Sequence, residues 1–152
     1  MQAQVADHIL IPLLDGDYTL AQIARLDDTN DDLRALLYLT SRQMTLKSEV
    51  FAFGSRDVKA VIATDLALIP TNHWEIVGYE PIPDLARAAV DLTSDDTTLH
   101  DPSVIEAFAN ALHGLYPWDG FPDADFFTNL LRTPDKLPSR IRMSADMPQP
   151  DA

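Results

Sequence analysis

Four histidines and twenty-four carboxylates are the side chains of this 152-residue chain with the most capacity for chemistry. His8, His73, His100 and His113 share no metal-ligand spacing: there is no HExxH, and no His pair at helical spacing with a carboxylate as third ligand. The absence of cysteine removes disulfides, thiolate metal sites and Cys nucleophiles together. No GxSxG, P-loop or GxGxxG occurs, and five glycines are few from which to build a phosphate-cradling loop. Ser41, Ser48 and Ser55 have no visible base partner. Carboxylate pairs could act as general acid and base, but among so many acids such pairs arise by chance. The residues therefore predict a protein that is not an enzyme and holds neither metal nor cofactor. His113 is expected at a helix C-terminus, where the dipole favours a cation. His73, beside Trp74, is the more tempting histidine, although one adjacency makes no site.

The carboxylates fall into two clusters. The first is Asp27, Asp28, Asp31 and Asp32; the second lies within WDGFPDADFF and includes Asp119, Asp123 and Asp125. No Lys or Arg occurs between Asp101 and Leu131, so the field there is locally unbalanced. The spacing of a calcium loop is absent. Two readings remain: a docking surface for a basic partner, or a solvated face whose carboxylates cap turns and helices. Trp118, with Tyr116, Phe121 and the Gly120 turn, has two readings as well, an interface anchor or a core plug between helix and sheet. Core is the heavier alternative for Trp118, and heavier still for Trp74, which is expected in mid-strand.

The totals bound these readings. The formal net charge is -13, from 11 basic and 24 acidic side chains. Such a surface repels nucleic-acid backbones and speeds the capture of basic partners. No apolar run approaches the ~20 residues needed to span a bilayer. The N-terminus lacks a basic segment and a small-residue cleavage site, so a cytoplasmic location without membrane association is the expectation. The length suits one domain, expected over residues 1–144, with a disordered tail over 145–152.

Elements that could position these groups divide by texture. Residues 8–83 read as short strands, and 101–132 as helices. His8–Leu14 and Asp17–Leu26 flank an Asp15-Gly16 turn, a hairpin signal. A two-residue loop would set Leu13 opposite Tyr18 and Ile11 opposite Leu20, but would also place Pro12 at a hydrogen-bonded pair; a longer loop, a bulge or an edge position would relieve that. Ala35–Ser41 fits strand or helix, and strand is chosen. Thr45–Phe53, Val58–Thr64 and His73–Tyr79 complete the strands, while Leu85–Leu92 is left open between helix and strand. Asp101 is an N-cap with Pro102 at the first helical position. Val104, Ile105, Phe108, Leu112 and Leu115 form the apolar stripe, Glu106, Asn110 and His113 the opposite one, and Gly114 the stop. A second helix is expected from near Asp123, carrying Phe126, Phe127, Leu130 and Leu131. The predicted fold is α+β: a small antiparallel barrel or strongly bent sheet with two C-terminal helices packed on it.

One family shares part of this pattern. ILIPLLDGDYTLAQI, YLTSR and VIATDLALIPTNHWEIVGYEPIP combine an early apolar strand with Ile11-Pro12, the Asp15-Gly16 turn with Tyr18 soon after, and a late Trp74-to-Tyr79 strand leading to Pro81. Over roughly Asp7–Pro83 the chain resembles the immunity-protein-26 family of bacterial polymorphic toxin systems. The resemblance implies a non-catalytic scaffold that neutralises a cognate protein toxin by stoichiometric binding. No catalytic residue carries over. The negative charge agrees with a basic target such as a nuclease, with Asp27–Asp32 and Asp119–Asp125 steering encounter and Trp118 anchoring. Rival readings are an acidic secretion or effector chaperone, and a small hydrolase whose site is assembled from scattered His and Asp residues.

Overall fold

The computed structural model describes residues 2–28, 32–45, 54–70, 72–85, 90–94 and 96–147. Strand β1 spans Asp7–Pro12, β2 Tyr18–Asp27, β3 Arg34–Met44, β4 Val58–Asp65 and β5 Glu75–Tyr79. They form one open antiparallel sheet in the order β4-β3-β2-β1-β5, not a closed barrel. Strands β1 to β4 are a meander, and β5 returns to the free edge of β1. Residues 34–44 are mostly good helix formers, with only Tyr38 aromatic and Thr40 β-branched; pairing with a strand on each side makes the stretch a strand, and that central place buries both faces from Ala35 to Thr40. The strand expected over Thr45–Phe53 lies outside the described residues beyond Thr45, as does the middle of Leu85–Leu92.

The first hairpin differs from the two-residue turn by one position. Leu13 N–H donates to Asp17 O at 2.9 Å and Gly16 N–H to Leu13 O at 3.2 Å, so the loop has three residues, 14–16. Gly16 has φ +90, the left-handed position that such a loop requires. Pro12 now faces Tyr18, and Leu10, not Ile11, faces Leu20. With Leu13 and Asp17 hydrogen-bonded, the alternation places Pro12 at a non-bonded pair, where its missing N–H costs nothing. The slip also turns Thr19 to the face carrying Ile9 and Ile11.

Each face of the sheet is covered. On one, Ile9, Ile11, Ile23, Leu37, Leu39 and Ile62 pack beneath helix α1, Pro102–Leu112, and the short helix α2, Phe126–Leu130. The β4-to-β5 crossover passes over the same face and contributes Leu66, Ile69 and Trp74. Trp74 thus immediately precedes β5 and is not in mid-strand, yet it is buried as expected. The other face, with Leu10, Leu20, Leu36 and Tyr38, is covered by Ile82, Leu85, Val90, Leu92 and Leu99.

After that strap the chain reaches the outer edge of β4. Thr64 bridges His100, and Ala60 bridges Leu131. Helix α2 therefore ends against the edge of β4, where the Arg132 N–H also donates to Lys59 O at 2.8 Å. Covering this edge hides backbone groups that would otherwise invite pairing. The β5 edge carries exposed Ile76 and Tyr79. Helix α2 begins three residues later than expected, after Asp125. At the C-terminus, Ser144–Asp146 form a short 3-10 turn where disorder was expected from Ala145; residues 148–152 lie outside the described set. Among the described residues no helix is long and apolar enough to cross a membrane.

Candidate functional site

Helix α1 begins as its sequence requires. Asp101 Oδ1 accepts the Ser103 N–H at 2.9 Å and its hydroxyl at 2.7 Å, and these bonds hold the carboxyl below its ordinary pKa. Pro102 occupies the first turn and His113 the C-cap. Gly114 follows at φ +75. Its missing Cβ also makes room for the chain near Arg140, whose carbonyl oxygen would lie 2.5 Å from that atom.

The stripe Glu106, Asn110, His113 is not a solvent face. Glu106 Oε1 accepts the Trp74 indole N–H at 2.7 Å and lies 2.5 Å from His73 Nε2. Asn110 is buried; its Oδ1 accepts the Leu14 N–H at 2.7 Å and its Nδ2 donates to Glu106 O at 2.8 Å. His113 Nε2 lies 3.0 Å from Thr19 Oγ1. One helical face thus pins three separate stretches of sheet and loop to α1. Glu106 is the hub that sequence reasoning passed over. His73 is oriented by this carboxylate but remains substantially exposed, and the contact closes the crossover rather than assembling a nucleophile and base.

His113 corrects the expectation of a helix-end cation. Burial pushes its pKa down, the Arg140 charge adds to that, and Asp15 opposes it. The Thr19 hydroxyl has carbonyl acceptors at Thr40 and Arg42, 3.2 and 3.3 Å away. Donating to one of them, it accepts from His113, which places the imidazole proton on Nε2 and leaves Nδ1 a bare, buried lone pair. The ring is neutral and structural. Burial lowers the pKa of His100, and also that of His8 against the opposing charges of Glu80 and Asp7. Among the described residues, no group of three or more His, Asp or Glu side chains is placed to hold a metal ion.

The acidic residues separate into tied and open ones. Asp32 Oδ2 is paired with Arg34 at 3.1 Å, and Arg34 also donates to Leu92 O at 3.0 Å. Asp27 ends β2 opposite Arg34, Asp28 is exposed, and Asp31 lies outside the described residues. Asp119 Oδ1 accepts both the Ser144 N–H, at 2.6 Å, and its hydroxyl, at 2.7 Å; these bonds lower its pKa. It anchors the C-terminal segment. Asp123 accepts the Asp125 N–H at 3.0 Å, and both side chains are exposed.

The ladder places the end of β2 and the end of β4 on either side of Arg34. Asp27 faces Arg34, and Arg34 faces Asp65 across the ladder. Thr64, next along β4, bridges His100, whose ring meets Phe126 edge-on at 5.9 Å. Helix α2 thus begins in ring contact with the residue that bridges Thr64.

Trp118 is 2 % exposed. It packs against Phe108 and Phe127, with centroids 5.8 and 5.6 Å away, and donates its indole N–H to Thr128 Oγ1 at 2.9 Å. It is a core side chain that joins the two helices; burial removes it from the candidate anchors. No family model, curated protein or solved structure matched the chain.

Proposed function

We propose that the protein is a non-catalytic immunity protein that neutralises a cognate bacterial toxin by stoichiometric binding through an acidic surface. The observation that carries this reading is the exposure of Asp28, Asp123 and Asp125 on a chain of net charge -13. The resemblance over Asp7–Pro83 supports it. Asp32 and Asp119 are held by Arg34 and Ser144, so the open carboxylates make the contacts. A basic target, such as a nuclease with a phosphate-binding cleft, complements them.

The test is capture of partners from an extract of the source cells on tagged protein, at low and at high salt. A single basic protein, recovered in stoichiometric amount and weakened by salt, is the expected result. Recovery of many unfolded chains would replace this reading with a chaperone.

A further inference from the structure

Five of the chain's eleven cations gather near the Val58 end of β4: Arg56, Lys59, Arg132, Lys136 and Arg140. The first four line one cleft of about 600 Å3, and no Asp or Glu joins them in its wall. On a chain with 24 acids this segregation demands a reason. Of the carboxylates adjacent in sequence to these cations, Asp57 is turned onto the Gly54 N–H at 2.8 Å, and Asp135 is exposed and does not line the cleft. Among the described residues none of the four cations has a carboxylate within ion-pair distance. Arg140 lines an adjoining cleft that shares Lys59 and Ser139 with the first.

The cleft is held in shape. Arg132 donates from one Nη to Ser55 O at 2.7 Å and to Val58 O at 3.1 Å, and its backbone N–H donates to Lys59 O at 2.8 Å. These bonds fix the guanidinium while leaving the other Nη and Nε available, the edge that takes oxyanions in a two-point grip. Ser55, Thr133 and Ser139 add hydroxyls to the wall. A donor set of two guanidiniums, two ammoniums and hydroxyls, without an opposing carboxylate, suits a ligand with several anionic oxygens.

We propose that this cleft binds a small phosphate-bearing molecule with at least two phosphoryl groups, gripped by Arg132 and neutralised by Arg56, Lys59 and Lys136. The volume lies in the range of small-molecule sites. The net charge selects against a polymer: long stretches of nucleic acid would run onto repelling surface, whereas a small anion feels mainly the charges within a Debye length of about 8–10 Å. The proposal does not rest on the immunity reading, since none of the open carboxylates lines the cleft.

Isothermal titration of the whole chain with inorganic pyrophosphate tests it. One site, tighter than for inorganic phosphate and weakened by salt, is the expected result. R56E combined with K136E, both exposed positions, should weaken binding by tenfold or more, on the order of a lost charge-assisted contact per site. R56Q alone should weaken it by roughly threefold, and R25A, at the far end of the sheet, should leave it unchanged. No detectable binding, or equal affinity in the charge-reversed variant and the parent, overturns the proposal. So does a preference for an Asp/Glu-rich peptide over pyrophosphate, which would make the cleft a contact for an acidic protein segment.

Discussion

A histidine at a helix end is commonly favoured as a cation, and His113 shows how burial reverses that sign. Its folded pKa is lowered from the ordinary 6.5, chiefly by burial. The unfolded chain therefore binds more protons as pH falls through 6.5, and folded stability declines with it; His8 and His100 act in the same direction. Thermal unfolding followed from pH 7.5 downward should show a midpoint falling below about pH 6.5, before the carboxylates titrate. H113Q retains a donor for Thr19 but has no proton to gain, so its midpoint should fall less steeply over the same window. Trp118 is the second informative residue. W118A should cost about 3–5 kcal/mol by leaving a cavity between α1 and α2, measured by urea denaturation. A loss within about 0.5 kcal/mol would mean that the tryptophan is not a core side chain in solution.

The turns make separable predictions at the level of elements. Gly16 and Gly114 both have positive φ, but their surroundings differ. A Cβ at Gly16 would meet nothing within 4 Å, so G16A should cost only the backbone strain, about 1–2 kcal/mol. A Cβ at Gly114 would meet Arg140 O at 2.5 Å, so G114A must also displace the C-terminal segment, which Trp118 N–H holds through Arg142 O at 2.8 Å. G114A should therefore destabilise clearly more than G16A in the same denaturation assay. Equal costs would show that the C-terminal segment is not seated against the helix end. The seam of Glu106, Asn110 and His113 explains why α1 tolerates a polar stripe facing inward: each group meets a partner that a solvent-facing stripe would have to find in water.

At the scale of the molecule, exposed carboxylates at Asp28, Asp123 and Asp125 contrast with a cluster of cations near the Val58 end of β4. On the proposed reading a basic partner is steered to these carboxylates, and the salt dependence of association would report that steering. D123K combined with D125K should lower the association rate with the true partner by roughly tenfold at low salt and flatten its salt dependence, with the dissociation rate less affected. Stopped-flow or surface-binding kinetics would measure both. An unchanged rate would remove this surface from the interface. The unfolding midpoint should hardly move, because both side chains are exposed.

Local signals carried much of the architecture. Apolar alternation marked the strands, Asp101-Pro102 marked the start of α1, and the switch from period two to period 3.6 near residue 100 announced an α+β chain. These depend on a few neighbouring residues, and sequence reports neighbours well. The hairpin register was not legible, because two- and three-residue loops around Asp15-Gly16 differ by one position and only packing against α1 chooses which face Thr19 joins. The open sheet, rather than a barrel, depended on where β5 paired, a contact between residues nearly seventy apart. The acidic runs were visible as composition, but which carboxylates are tied down was decided by Arg34 and Ser144. The basic cleft was invisible: Arg56 and Lys59 are separated from Arg132 and Lys136 by more than seventy residues, and only the covering of the β4 edge brings them together.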